Sequence, residues 1–238
     1  MYETIVLGAT FLAAGIAARQ KKSCLIIEPT FQAGYEFFGA LDFGTGYEDA
    51  QKTQEGAALY RQFLNEGVTP YMRNTYIYPI LQESNVLFGT QVVEIEKQEE
   101  GFLCKVYAVD GYSSFLAKHI IDTRCNEGVS AAKTYNLLVE SNAAPQIEGV
   151  EVRSTGVDRH YVLRCPVPLS CDHSQARAVA EETIRQFSEA QKLILLADEF
   201  DYQVKQAQPD AVNGICILPS KAYKNPVCAF EAGLGVQK

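Results

Sequence analysis

No two cysteines of this chain stand in a C-x-x-C spacing, and no H-E-x-x-H segment occurs. The three histidines, His119, His160 and His173, show no mutual spacing of metal-ligand type. A structural zinc or a zinc hydrolase is therefore not expected. The seven cysteines are scattered, and an odd number leaves one unpaired in any intramolecular scheme, so reduced thiols are the simpler reading. Apolar runs are also short: none approaches the roughly 18 residues that a bilayer-spanning helix needs. The N-terminus opens on a charged, strand-like segment without the n-region, h-region and cleavage site of a secretory leader. A cytoplasmic protein without membrane contact is the expectation. Basic clusters are missing as well, and 21 Lys plus Arg against 29 Asp plus Glu leave a net charge of −8. A nucleic-acid surface is disfavoured, and the expected partners are small molecules or protein.

The 238 residues fit one large α/β domain, or a main domain with a small appendage. Its most informative stretch is Met1 to Glu28. The apolar run Thr4-Ile5-Val6-Leu7 reads as a buried parallel strand. Gly8 permits a sharp turn, Ala13 to Lys22 has helical composition with cations in its last turn, and Cys24 to Glu28 is a second strand ending in an acid. Such a strand–turn–helix–strand unit aims backbone N–H groups and a helix dipole at a crevice. That suits a dinucleotide pyrophosphate, while Glu28 can take a ribose hydroxyl. Within the glycine fingerprint, Gly8 fills the first position, Thr10 stands at the second and Ala13 at the third. Thr10 either crowds the pyrophosphate or offers it a hydroxyl. On its own the turn also fits a βαβ unit that binds nothing.

Pro29 to Leu41 is a glycine- and aromatic-rich loop, placed to lie over the end of the sheet where a ligand would bind. Tyr47 to Asn65 carries one apolar helical face, with Gly67 as its stop. Tyr71, Tyr76 and Tyr78 flank a second short helix ending near Glu83, and none is assigned a proton-transfer role. Val86 to Glu96 and Phe102 to Val109 form an antiparallel hairpin about the turn 98–101. Ser114 to Asp122 returns as a strand. Ala131 to Glu140 and Val150 to Pro166 are further strands, and Ala176 to Ala190 is an amphipathic helix capped by Asp172 or Ser174.

In this order the segments resemble FAD-dependent oxidoreductases of the glutathione-reductase-like, two-dinucleotide-fold group. The matching stretches are Ile5-Val6-Leu7-Gly8 with its helix, Glu28, the loop with Gly34 and Gly39-Ala40-Leu41, Asn85 to Val93, Lys192 to Asp198, and Asn225-Pro226 with the closing helix. The resemblance implies a Rossmann-like FAD-binding domain with a central parallel sheet and a β-meander, over 1–128 and 191–238, and a small α+β substrate or cap region over 129–190. It assigns FAD to Gly8, Ala9, Thr10, Phe11, Glu28, Pro29, Gly39, Val93, Asp198, Asn225 and Pro226. In that assignment Glu28 meets the adenosine ribose, the backbone of Val93 the adenine and Asp198 the ribityl chain. The closing helix points its positive end at the flavin. The implied activity is hydride transfer between the flavin and a small organic substrate, with no catalytic acid or base assigned. Where the family keeps Ala-Thr-Gly this chain has Thr123-Arg124-Cys125, and Ala197 replaces the glycine before Asp198. These departures, with Thr10, carry the alternative: a degenerate flavoprotein-fold subunit acting as a binding partner. The short substrate region points to a homo-oligomer or a partner chain.

Overall fold

A computed structural model describes residues 1–50, 52–65, 76–188, 191–205 and 210–236. Gly67 and Tyr71 lie outside them. The N-terminal unit forms as expected: strand β1 (Tyr2–Leu7), helix α1 (Phe11–Gln20) and strand β2 (Cys24–Ile27), with β1 and β2 parallel. The helix starts two residues before the Ala13 expected for it and ends at Gln20, because Thr10 caps it and Lys21 leaves the helical region at φ 51°. Consecutive apolar residues in β1 are explained by burial on both faces. Val6 packs with Ile26 beneath α1, and Ile5 and Leu7 pack with Leu25 and Ile27 against Phe102, Cys104 and Val106.

Short helices α2 (Tyr35–Phe38), α3 (Gln54–Asn65) and α4 (Ile77–Leu81) precede the strands β3 (Asn85–Leu87), β4 (Gln91–Gln98), β5 (Gly101–Ala108) and β6 (Gly111–Asp122). The strand expected from Val86 to Glu96 is two strands, broken where Gly89 turns at φ 61°. The hairpin itself pairs about Gln98 and Gly101 as the turn chemistry predicts. Strand β6 plays two roles. Gly111 to Ala117 pairs antiparallel with β5, and the segment from Ala117 to Asp122 pairs parallel with β1.

A second, antiparallel sheet is centred on β7 (Ser130–Ser141), with β8 (Glu151–Ser154), β9 (His160–Val167), β10 (Gln191–Leu196) and β11 (Asp201–Val204). Helix α5 (His173–Arg185) packs on it, closed by an Asp172–Gln175 capping box; it ends at Arg185, short of the expected Ala190. Here one expectation is corrected. The run Lys192 to Asp198 is not the last strand of the first sheet, for β10 pairs antiparallel with β7 from Leu137 to Ser141. Residues 191–205 thus carry two strands of the second sheet. The physical reason is the long β7: β9 covers one edge, and without β10 and β11 end to end along the other its buried backbone would be unpaired. The place beside β6 goes to β13 (Ile215–Ile217), parallel to β6 and flanked by β12 (Asp210–Val212). The parallel part of the first sheet therefore runs β13-β6-β1-β2-β3.

The closing helix α6 (Pro226–Gly235) crosses α1 at backbone contact. A Cβ on Gly15 would stand 2.0 Å from the Phe230 carbonyl oxygen, and one on Gly233 would stand 2.1 Å from that of Leu12. Gly15→Ala is expected to destabilise the protein by about 2 kcal/mol or more, the overpacking outweighing alanine's helix propensity. Gly235→Ala, with nothing within 4 Å of the new methyl, is expected to stay within about 0.5 kcal/mol of the parent. Urea unfolding of both variants checks this.

Candidate functional site

Leu7, Ile27, Asp122 and Ile217 end neighbouring parallel strands in register, so the residues after them share one edge of the sheet. This is the carboxyl end of the strands, where open α/β sheets bind ligands. Gly8 turns at φ 94° and donates its N–H to the Ile27 carbonyl at 2.8 Å. Thr10 neither crowds the turn nor offers a free hydroxyl. It is the N-cap of α1: its Oγ1 accepts the Ala13 N–H at 3.1 Å and donates to Thr123 Oγ1 at 2.8 Å. Glu28 stands at the end of β2 as expected, but its Oε2 accepts the Ala9 N–H and its Oε1 the Thr30 N–H and hydroxyl, each at 2.8 Å.

The remaining donors of the α1 N-terminus are also taken from within. Gly34, at φ 70°, starts α2 and presents Glu36 to the end of α1. Glu36 Oε1 accepts the Phe11 N–H at 2.9 Å and the Ser220 hydroxyl at 2.8 Å, and Ser220 Oγ accepts the Leu12 N–H at 3.4 Å. Glu36 Oε2 is buried with no hydrogen-bond partner. Burial pushes this carboxyl up to about 7, against the opposing pull of the Phe11 N–H, the Ser220 hydroxyl and Lys221.

At the second turn, Arg124 lies over Gly8; a Cβ there would be 2.7 Å from Arg124 Cγ. Its guanidinium forks onto Asp122 at 2.9 and 2.7 Å. Burial pushes the Cys125 thiol up to about 12, which keeps it protonated and unreactive. Lys221, buried just after Ser220, pairs with Asp42 and, at 2.9 Å, with Asp201. Burial disfavours its charge, yet Asp201 and Asp42 hold it above the ordinary lysine value. The phenols of Tyr35 and Tyr202 are both pushed up to about 12, first by burial and then by nearby carboxylates, so neither serves as a base.

A cavity of about 200 Å³ opens on this edge, lined by Gly8, Ala9, Thr10, Glu28, Pro29 and Thr30 together with Tyr35, Glu36, Arg124, Lys221, Phe200 and Tyr202 among others. Of the eleven residues assigned to FAD it gathers five: Gly8, Ala9, Thr10, Glu28 and Pro29. Phe11 is buried beneath, represented at the edge by its N–H. Gly39 is buried and accepts the Asp198 N–H at 2.8 Å through its carbonyl. Val93 is exposed at a bulge of β4, outside the cavity wall. Asn225 and Pro226 open α6 as expected, but that end faces the loop 44–46, with Asn225 Nδ2 donating to the Thr45 carbonyl at 2.8 Å. The strand that does adjoin β6 runs into Leu218-Pro219-Ser220, with no acid where a ribityl-binding carboxylate would stand. Ala197 and Asp198 follow β10 in the second sheet, which corrects their reading as the end of a first-sheet strand. Sequence reasoning passed over Glu36 and Ser220. The available signal was an acid among aromatic residues in a glycine-rich loop.

No protein-family profile matches the chain, and no curated protein matches it. Solved structures do. The chain is similar to the flavin-dependent brominase Bmp2, as a triple mutant, at 11% identity and TM-score 0.57 over 98% of this chain and 78% of that one. It is similar to p-nitrophenol 4-monooxygenase PnpA from Pseudomonas putida DLL-E4 at 11% identity and TM-score 0.55, over 98% and 76%. With CabE, an aromatic hydroxylase from angucycline biosynthesis, it shares 11% identity and a TM-score of 0.53 over 91% of this chain and only 55% of that one. At these identities the likeness is one of fold: a mixed α/β architecture shared with FAD-dependent flavoenzymes. Among the described residues no helix is long and apolar enough to cross a membrane. FAD is the cofactor that the sequence resemblance implies, and of the residues assigned to it Gly8 and Glu28 line the cavity. One group on the edge opposes it as arranged: Glu36 holds an N–H at the start of α1 that a pyrophosphate would take.

The raised pKa of Glu36 fixes a sign. A carboxyl whose folded pKa lies above its unfolded value stabilises the native state below about pH 4.5, and that contribution is lost as pH rises through about 7. Glu36→Gln does not titrate. It is expected to gain stability over the parent by up to roughly 3 kcal/mol between about pH 5 and pH 8. Urea unfolding at both pH values measures it, and a difference independent of pH would remove the assignment.

Proposed function

We propose that this chain is a flavoprotein-fold subunit that binds a partner and does not itself turn over. One observation carries the reading: the polar groups that FAD would use on the sheet edge are engaged within the chain. Ala9 N–H is held by Glu28, Phe11 N–H by Glu36, Arg124 by Asp122, and Lys221 by Asp42 and Asp201. A ligand must therefore break internal bonds before it gains its own, which offsets its binding energy. The open edge of β10 supports a partner. Leu193, Ile194 and Leu195 are 37–40% exposed in a row on a strand that, among the described residues, pairs with β7 alone, an arrangement that proteins otherwise blunt with charge.

The second reading is an FAD-dependent oxidoreductase that moves hydride between flavin and a small organic substrate. It is supported by the fold shared with flavin-dependent enzymes and by Gly8 and Glu28 at the carboxyl edge. The similar structures include hydroxylases, a monooxygenase and a brominase, which support a broad flavin fold and do not single out the glutathione-reductase-like group.

Absorbance of the purified protein, before and after incubation with FAD and gel filtration, separates the two readings. The expected outcome is a colourless protein that retains no flavin. Stoichiometric yellow cofactor that a reductant bleaches would establish the oxidoreductase instead. Sedimentation is expected to give a species above the monomer mass that Leu193→Lys with Leu195→Lys reduces to the monomer. A parent protein monomeric at all concentrations would remove the self-association arm.

A further inference from the structure

We infer that Glu36 is an internal stand-in for a phosphate: its carboxylate fills the anion seat at the N-terminus of α1 and closes it to dinucleotides. This rests on the reading of the chain as a closed flavoprotein fold and goes beyond it by naming the group that closes it.

Helix α1 has ten residues, and its positive end and first-turn N–H groups converge on the carboxyl edge of the sheet, where an anion is stabilised. Within the turn Glu28 takes the Ala9 N–H, whereas the Phe11 N–H is held from outside it. Gly8 keeps its positive φ, and Thr10 is folded back as the cap with its hydroxyl on Ala13 and Thr123. What occupies the seat is a carboxylate from another element. It approaches the Phe11 N–H at 2.9 Å, within the range of a charge-assisted bond.

Three features mark Glu36 as a ligand surrogate and not a routine cap. First, a cap is already present, since Thr10 takes the Ala13 N–H in the ordinary way. Second, Glu36 stands 25 residues from the Phe11 it binds, in α2, and is held by Ser220 from 184 residues away, so three separate segments build the contact. Third, its Oε2 is buried without a hydrogen-bond partner. A carboxylate oxygen left unsatisfied is costly. An optimised cap would leave no such oxygen. The charge of Lys221 acts on the carboxylate with the same sign, and Lys221 and Arg124 both line the cavity.

The bulk of the side chain and its oxygen on the Phe11 N–H are therefore what exclude phosphate, and removing them should restore the seat. Pyrophosphate is the direct probe, because it tests the seat without the rest of a dinucleotide. Glu36→Ala frees the Phe11 N–H and is expected to bind inorganic pyrophosphate at least about tenfold more tightly than the parent, read by calorimetry and by a ligand-dependent rise in melting temperature. Glu36→Gln keeps an oxygen on the Phe11 N–H and is expected to behave as the parent. If Glu36→Ala does not fold in chloride, recovery of its circular dichroism on adding pyrophosphate is the readout. Parent and Glu36→Ala proteins responding alike to pyrophosphate, or a Glu36→Ala protein that neither binds nor is rescued, would overturn the inference. FAD added to the parent is the separate arm: tight uptake there defeats the closed-fold reading itself, whereas an inert Glu36→Ala variant beside an FAD-free parent defeats only the role of Glu36.

Discussion

A buried ammonium joins the two sheets. Lys221 follows β13 of the first sheet, Asp201 opens β11 of the second, and Asp42 lies on the loop after α2; the three side chains are at most 16% exposed and meet in one ion cluster. Arg164 extends it from β9, with Nη2 2.7 Å from Asp201 Oδ2, and reaches the surface through Glu151. Such charges are expensive to desolvate and hold only when each is paired. Against the penalty of burial, Lys221 keeps Asp42 below the usual carboxylate range. The cluster thus tolerates little displacement of any of the three segments.

The position of the loop carrying α2 follows from it. Leu41, next to Asp42, adopts a φ of 51°, a conformation that a branched side chain rarely takes without compensation. The compensation lies beside it. Asp42 is held by Lys221, the Gly44 N–H bonds to Asp42 Oδ1 at 3.0 Å, and Lys221 sits over the Phe37 ring at 4.6 Å. With the loop held at Asp42 and turned at Gly34, α2 presents Glu36 toward the start of α1. The closure of the anion seat is in this sense a consequence of the ion cluster.

The edge that results is acidic where a flavoprotein needs to receive an anion. Glu28, Glu36 and Asp122 converge there, each answered by the chain's own donors: Ala9 and Thr30, Phe11 and Ser220, and Arg124. The architecture of a dinucleotide fold and the chemistry of its ligand site are separable, because the first depends on apolar strands and the second on a few polar groups at strand ends.

The N-terminal unit was legible in the sequence because its signals are local. A four-residue apolar run, a glycine turn, an alanine-rich helix and a terminal acid specify β1, α1, β2 and Glu28 with little help from elsewhere, and the hairpin of β4 and β5 is as local. Two features were not legible. The run Leu193 to Leu196 has the composition of a buried parallel strand, yet its place is set by the free edge of β7, some fifty residues away; Asn213 to Pro219 reads as a turn and short strand, with nothing local to place it beside β6. Glu36 is one acid in a loop, and its role exists only when Phe11 and Ser220 are brought to it. The sequence by itself therefore determined that this chain builds a dinucleotide-type βαβ edge, since hydrophobic period and turn chemistry act over a few residues. Only the tertiary structure decided what fills that edge, because hydrogen bonds and ion pairs between distant segments are chosen by the packing that brings them together.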